Sequence, residues 1–174
     1  ITLALTSGPF QQQVAPSAPV LARRPQAVPG GILGFDFHLG GPTPQLIEVN
    51  TNPGGLLVSL ELARAATAGC DCLTEPLSVL AAAGVEISQL GQRISDSFLA
   101  EWTSARGEVP LRSIAIVDDE PQSQYLYPEF LLYRRLLERA GWRVLIADAT
   151  SLDPRDAAVF LADVVGGHDG QVVV

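Results

Sequence analysis

The pattern of hydrophobic and polar residues changes its period along the chain, and its first regular part predicts a β-hairpin. In residues 32–39 apolar and polar positions alternate loosely, and aromatic and branched side chains are frequent, which is typical of a strand. Gly40, Gly41 and Pro42 interrupt this pattern, as turn residues do. Residues 45–50 resume it, so we expect a second strand that pairs with the first.

The rest of the pattern predicts helices and one β-α-β unit. Apolar residues recur with a helical period in residues 56–68 and 87–106. Residues 113–117 form a continuous apolar run, as in a buried parallel strand. A helical pattern at 129–140 and a short apolar strand at 143–147 follow it. This order predicts an α/β fold in which a right-handed helical crossover joins two parallel strands.

These elements divide the chain into three predicted parts. Residues 1–31 hold closely spaced prolines and are expected to be extended, because prolines interrupt long helices. Residues 32–110 contain the hairpin and two helices, and Pro110 marks the boundary. Residues 111–174 are expected to begin a Rossmann-like unit. The chain has no methionine and ends in Gln-Val-Val-Val, a sequence typical of a strand interior, so we expect a truncated piece of a longer protein.

The composition of the chain favours a folded protein that binds neither nucleic acid nor a membrane. Hydrophobic residues make up 47% of the 174 positions, which is enough for a packed core. The formal net charge of −8 argues against a nucleic-acid-binding surface, because phosphate contacts need a basic patch. No apolar run reaches the roughly 18 residues that a membrane helix needs. Cys70 and Cys72 stand too close for a good disulfide and lack further zinc ligands, so we expect thiols in a cytoplasmic protein.

Three oxygen-bearing side chains fall where the predicted hairpin can bring them together. Glu48 and Asn50 are two residues apart on the second strand and therefore point to the same face. Pairing of the strands can place Asp36 beside them. Carboxylate and carbonyl oxygens are the ligands that Mg²⁺ prefers, so this face is a candidate metal site. The alternative is the solvated polar face of an ordinary hairpin.

The turn after the hairpin is a candidate anion site. Pro53, Gly54 and Gly55 lead directly into the helix predicted at residues 56–68. Free backbone N–H groups at a helix N-terminus attract anions. A substrate carboxylate or an acyl phosphate could therefore dock at this turn.

The hairpin and its exit turn resemble the metal-binding end of the ATP-grasp ligases. In that superfamily an Asp on one strand and a Glu-x-Asn on the next hold the Mg²⁺ ions that bridge the phosphates of ATP. The D-alanine–D-alanine ligases continue with Thr-x-Pro-Gly, and residues 48–54 here read Glu-Val-Asn-Thr-Asn-Pro-Gly. The resemblance implies ATP and Mg²⁺ as cofactors, with Asp36, Glu48 and Asn50 as metal ligands. It also implies catalytic roles for Glu48 and Asn50 and a substrate-cradling turn of Asn52, Gly54 and Gly55.

A wider resemblance, over about residues 30–160, is to uncharacterised bacterial proteins related to glutathione synthetase. It rests on Phe-Asp-Phe-His at 35–38, the run from Leu46 to Gly55 and Ala-Ile-Val-Asp-Asp-Glu-Pro at 115–121. In eukaryotic-type glutathione synthetases the fold is circularly permuted, so that Glu-x-Asn precedes a substrate-binding β-α-β segment, as it does here. The resemblance implies a fragment of a permuted ATP-grasp fold followed by a Rossmann-like substrate unit, the pre-ATP-grasp unit.

The activity implied is an ATP- and Mg²⁺-dependent ligase that joins a carboxylate to an amine through an acyl phosphate. An amino acid or short peptide is the expected substrate, and a homodimer is left open. The chain departs from the family in having no lysine, whereas ATP-grasp enzymes clamp the nucleotide with lysines. Those residues would lie beyond Val174 in a permuted protein, so this stretch alone is expected to be inactive.

The acidic and amide-rich turn after residues 113–117 is the predicted substrate site. Ligands of open α/β sheets gather at the carboxyl ends of strands, and the corresponding turn of glutathione synthetases contacts the peptide substrate. The nearest candidates for binding an amine-bearing substrate are Asp119, Gln122, Gln124 and Tyr127. The alternative is a turn whose carboxylates only favour the N-terminus of the following helix.

Two other functions fit parts of the chain. An apolar strand followed by Asp-Asp-Glu-Pro also resembles the start of a response-regulator receiver domain, in which Asp163 would imitate the phosphorylated residue. That interpretation leaves residues 32–57 unexplained. A catalytically inactive binding protein could keep the hairpin as structure only. His38, beside the Asp36 face, is expected to be a structural histidine more often than a catalytic base.

Overall fold

The computed structural model describes residues 7–19, 31–69, 78, 81–82 and 84–151, and the fold of this part is mixed α/β. Its helices and strands are, in order, α1 Gly8–Val14, β1 Gly34–His38, β2 Gln45–Asn50, α2 Leu56–Gly69, α3 Ile87–Arg106, β3 Ser113–Asp118, α4 Tyr127–Arg139 and β4 Arg143–Asp148. Short 3₁₀ helices occupy Ala15–Ser17, Pro121–Ser123 and Ala149–Ser151. Cys70, Cys72 and Asp163 lie outside the described residues, so the predictions made for them stay predictions.

The expectation of an extended N-terminal segment is wrong where the structure describes it. Gly8–Val14 is helical, and Ala15–Ser17 continues it as a 3₁₀ helix. Pro9 and Pro16 each stand in the first turn of their helix, where a missing N–H would have no intrahelical partner. The prolines therefore set where these short helices begin. Residues 20–30 of the proline-rich segment lie outside the described part.

Within the described part of the chain, the strands form two separate two-stranded sheets. β1 and β2 are antiparallel, as the predicted hairpin requires. β3 and β4 are parallel, with α4 between them in sequence, so the predicted β-α-β order is confirmed. Helix α4 begins at Tyr127, earlier than predicted, because Pro128 stands in its first turn, where proline is tolerated.

The apolar core lies between the three long helices and extends to β3. One cluster of buried side chains joins α2 to α3 and consists of Leu57, Leu60 and Ile94. A second joins α3 and α4 to the β3 strand and consists of Trp102, Leu111, Ile114 and Leu137. Phe98 and Tyr133 pack against both clusters, and their rings meet edge to face with centroids 6.2 Å apart. The helices and the parallel sheet therefore share one continuous core, which holds the start of α2 in place.

Candidate functional site

The register of the hairpin brings the three predicted metal ligands to one face. Asp36 pairs directly with Glu48, and Gly34 pairs with Asn50. Directly paired residues, and residues two apart on one strand, project from the same face of an antiparallel ladder. Asp36, Glu48 and Asn50 are therefore neighbours on one face, and all three are exposed.

The glycine opposite Asn50 allows the exit turn of the hairpin to come close to β1. A Cβ at Gly34 would lie 3.0 Å from Pro53 Cβ and 3.5 Å from Asn50 Cβ. The first distance is shorter than ordinary van der Waals contact, so a side chain at position 34 would push Pro53 away. Glycine at position 34 therefore leaves room for the exit turn, at Pro53, to lie beside the candidate metal ligands.

A β-bulge bounds this polar face. The register shifts between Asp36 and Phe37, so that Ile47 is the extra residue and pairing resumes at Phe37 and Leu46. Bulges bend a strand locally and are frequent beside functional sites. Beyond the bulge the His38 ring lies against the hairpin turn, since a Cβ at Gly40 would be 2.9 Å from His38 Nε2. The structural role expected of His38 stays a prediction.

Asn50 is oriented by the turn that follows it. Its Oδ1 accepts a hydrogen bond from the N–H of Asn52 at 2.9 Å, which is the arrangement of an Asx-turn. A carbonyl oxygen has two lone pairs, so the same atom could also bind a cation.

The ligand types of this face fit Mg²⁺. No group of three or more His, Cys, Asp or Glu side chains in the described residues could hold a metal. The hairpin set differs from such a group because it has two carboxylates and one amide oxygen. Hard cations accept amide oxygens as well as carboxylates and fill the remaining positions with water.

A residue that the sequence analysis missed, Glu129, occupies the helix N-terminus that was expected to bind an external anion. It belongs to the first turn of α4 and is only 2% exposed. Its Oε2 accepts the N–H of Gly55 at 2.5 Å, and its Oε1 accepts the N–H of Leu57 at 2.8 Å. Negative charge is favoured at a helix N-terminus, so Glu129 acts as a cap for α2 that another helix supplies.

The sequence does contain a signal for this residue. Glu129 stands on the same face of α4 as Tyr133 and Leu137, which belong to the core or pack against it. An acidic side chain on such a face needs hydrogen-bond donors within the protein. Burial raises the pKa of the Tyr133 hydroxyl to about 12, and the nearby charge of Glu129 adds to the shift.

The cap changes what the predicted substrate turn, Asn52, Gly54 and Gly55, can do. The Gly55 donor is already used, so an external anion would have to displace Glu129 to reach it. Gly54 lies against Leu126, and a Cβ there would overlap Leu126 Cδ1. Asn52 remains exposed. These contacts hold the exit turn of the hairpin against Leu126 and Glu129, at the start of α4. Leu126 lies between Gln124 and Tyr127 of the second predicted substrate region.

That second region is a turn fixed by the neighbouring strand. Asp118 and Asp148 pair at the carboxyl ends of the parallel strands. Asp148 Oδ2 accepts the N–H of Glu120 at 3.0 Å, and Asp118 Oδ1 accepts the N–H of Asp119 at 2.8 Å. Glu120 has φ 42°, a left-handed conformation that costs a residue with a side chain roughly 1–2 kcal/mol. The hydrogen bond from its N–H to Asp148 helps to hold that conformation.

Four substrate residues were predicted in this second turn. Two of them have exposed side chains, one donates a hydrogen bond within the turn, and one is half-buried. Asp119 and Gln122 are exposed. Gln124 donates from Nε2 to the carbonyl oxygen of Asp119 at 2.6 Å, and Tyr127 is half-buried at the start of α4. Leu126 is the N-cap of α4 and makes no side-chain cap hydrogen bond. The alternative, in which the carboxylates of the turn only favour the N-terminus of the following helix, stays a prediction.

The hydrogen bonds to Asp148 predict a specific pH dependence. The Thr150 hydroxyl, the Thr150 N–H and the Glu120 N–H hold the pKa of Asp148 below its ordinary value. A folded-state pKa below the unfolded one stabilises the fold above the unfolded value of about 3.9, and the contribution is lost as the pH falls through the folded value. Thr150→Val keeps the backbone N–H and removes the hydroxyl. We therefore expect it to raise the pKa of Asp148.

An NMR titration of the side-chain carboxyl carbon of Asp148 measures this shift. Thr103→Val is a matched control, because it removes a hydroxyl that donates to the carbonyl oxygen of Leu99 and to no acid. The control should leave the Asp148 titration unchanged. An Asp148 pKa that is the same in Thr150→Val and the wild type would contradict the role given to the hydroxyl.

No protein-family model, curated protein or solved structure matches the chain. Among the helices that the structure describes, none is both long and apolar enough to cross a membrane. Because no comparison indicates a function, the proposal below rests on the side chains of the hairpin face and of the two turns.

Proposed function

We propose that this chain carries the Mg²⁺-binding face of an ATP-dependent carboxylate–amine ligase of the ATP-grasp, glutathione synthetase-like type. The observation that carries the proposal is the hairpin register, in which Asp36 pairs with Glu48 and Asn50 lies on the same face. The resemblance of residues 48–54 to the Glu-x-Asn-Thr-x-Pro-Gly motif supports it. The order of the elements, hairpin first and β-α-β unit second, also supports it, because the resemblance implies this order for a permuted fold.

Each residue of the hairpin face has a proposed role. Asp36, Glu48 and Asn50 would hold Mg²⁺, and Glu48 is suited to bridge two ions because it lies between the other two on that face. Bound Mg²⁺ would neutralise the negative charge on phosphoryl oxygens. The hydrogen bond from the Asn52 N–H keeps the Asn50 oxygen in position. The contacts of Gly54 with Leu126 and of Gly55 with Glu129 hold the exit turn beside α4.

The proposed substrate is an amine-bearing amino acid or short peptide, whose carboxylate partner is activated as an acyl phosphate. The exposed carboxylate of Asp119 and amide of Gln122 suit recognition of an ammonium group by charge and hydrogen bonding. Nucleotide clamping does not fit this chain by itself, because it contains no lysine. The chain's own proposed contribution is therefore the metal face and part of the substrate site, in a cytoplasmic enzyme.

Manganese binding tests the proposal directly, because Mn²⁺ is a paramagnetic substitute for Mg²⁺ at oxygen ligands. We expect the chain to bind Mn²⁺ at one saturable site, measured from the loss of the free-ion signal in electron paramagnetic resonance. Glu48→Gln should weaken binding by at least roughly tenfold, since even outer-shell changes at metal sites cost about that much. Broadening of backbone NMR signals by Mn²⁺ should centre on β1 and β2.

The control is Glu108→Gln, which removes an exposed carboxylate from the loop after α3 and so makes the same change in net charge. This variant should bind Mn²⁺ as the wild type does. Equal weakening by both substitutions would show general attraction of cations to an acidic protein. That result, or broadening centred away from the hairpin, would remove the basis of the proposed function.

A further inference from the structure

A small cleft opens between α2, α3 and α4, and the proposed ligase function does not use it. Its volume is about 160 Å³. Leucines from α2 and α4, among them Leu57, Leu60 and Leu136, contribute to its lining. Three arginines from the same two helices, Arg64, Arg135 and Arg139, also line the cleft.

Positive charge predominates among the described residues that line this cleft. Arg135 and Arg139 stand one helical turn apart on α4 and therefore on the same side of the helix. Among the described residues neither makes an ion pair, whereas Arg64 Nη1 lies 2.6 Å from Glu61 Oε1. Among the residues that the structure describes, three arginines and one acidic residue, Glu61, line the cleft, in a protein whose net charge is −8. Like charges one turn apart repel each other, and a bound anion would relieve that repulsion.

A glycine opens the wall of the cleft on α3. A Cβ at Gly91 would lie 3.2 Å from Leu136 Cδ1 and 3.7 Å from Arg64 Nη2. The Arg64 guanidinium therefore reaches the wall of the cleft at this residue. Glycine in the middle of a helix lowers helix stability relative to alanine, and here it leaves room that a methyl group would reduce.

We propose that this cleft binds a small organic anion. Its carboxylate or phosphate head would lie against the arginines, because a guanidinium forms paired hydrogen bonds with either group. Its small apolar body would lie against the leucines of the lining. The site is separate from the hairpin face in its residues and in its ligand, so the two proposals stand or fall independently.

Titrations of the ¹⁵N-labelled chain with four probes test this site: benzoate, phenyl phosphate, inorganic phosphate and neutral benzamide. We expect benzoate or phenyl phosphate to give saturable shifts of the Gly91 and Leu136 amide signals, and the tighter of the two identifies the head group. Benzamide, which lacks the charge, should bind at least roughly tenfold more weakly. Inorganic phosphate, which lacks the apolar body, should bind roughly two- to threefold more weakly. Absence of saturable shifts with both aromatic anions would overturn the proposal, as would equal binding of benzamide.

Two variants and a neighbouring control locate the head group. Arg135→Gln and Arg139→Gln should each weaken binding of the better aromatic anion roughly tenfold or more, because each removes a charge-assisted contact. Arg134→Gln makes the same charge change on an exposed neighbour that does not line the cleft. It should bind the anion as the wild type does. Equal losses in Arg134→Gln and Arg135→Gln would assign the effect to overall charge and overturn the site.

Discussion

Glu129→Ala is expected to lower the free energy of unfolding by about 3 kcal/mol, because two hydrogen bonds to a carboxylate are lost together. The change leaves the N–H groups of Gly55 and Leu57 without the acceptor that they share. A buried donor left unsatisfied costs roughly 1–3 kcal/mol. The Leu57 bond is buried and the Gly55 bond is only partly buried, so water can replace part of the second loss.

Chemical denaturation measures this loss against two comparisons. Glu138→Ala removes an exposed carboxylate from the same helix and should change stability by no more than about 0.5 kcal/mol. Glu129→Gln keeps one carbonyl oxygen, which can accept a hydrogen bond from one of the two donors. Its loss in the free energy of unfolding should therefore lie between those of Glu138→Ala and Glu129→Ala. A loss below about 1 kcal/mol in Glu129→Ala would show that Glu129 does not cap α2.

Glu129 also shows what the sequence could not reveal. The glycine-rich turn before α2 predicts free backbone donors, and the structure has those donors at that place. Which acid they meet depends on a contact between residues 74 positions apart, and no local pattern records such a separation. The same donors could serve an external anion or an internal one, and only the packing of α4 beside α2 decides between them.

The hairpin was more predictable, because its determinants are local. Alternation of apolar and polar residues on either side of a glycine-proline turn defines two paired strands and puts Glu48 and Asn50 on one face. The position of the bulge was not predictable, since a turn of uncertain length allows the strands to slip by one residue. With Ile47 as the extra residue, Asp36 faces Glu48 directly. A slip by one residue would have moved Asp36 to the opposite face.

The substrate turn illustrates the same limit on a smaller scale. The β-α-β order predicts that Asp119, Gln122 and Gln124 follow a strand at its carboxyl end, and they do. The structure shows in addition that the Gln124 amide is bonded to the Asp119 carbonyl within the turn. Amide side chains can stabilise a turn or bind a ligand with the same atoms. Their residue type therefore does not distinguish the two uses.

Glu48→Ala is expected to reduce amine-dependent ADP release by roughly a thousandfold or more, if the proposed ligase activity is correct. Neutralisation of phosphoryl charge by a divalent metal is worth several kcal/mol in the transition state, and each 1.4 kcal/mol corresponds to about tenfold in rate. Glu48 is paired with Asp36 at the centre of the proposed ligand set, so its loss removes a carboxylate from the metal rather than from the substrate.

The assay uses a polypeptide that contains this sequence together with nucleotide-clamping lysines, supplied with ATP, Mg²⁺ and a panel of amino acids and short peptides. Glu108→Ala is the matched control and should retain full turnover, because that exposed loop residue lies outside the hairpin. Denaturation midpoints separate chemistry from folding: Glu48 is exposed, so a loss of turnover caused by the metal site should leave the midpoint nearly unchanged. Turnover that survives Glu48→Ala would exclude the assignment, and a lowered midpoint would instead favour a purely structural hairpin.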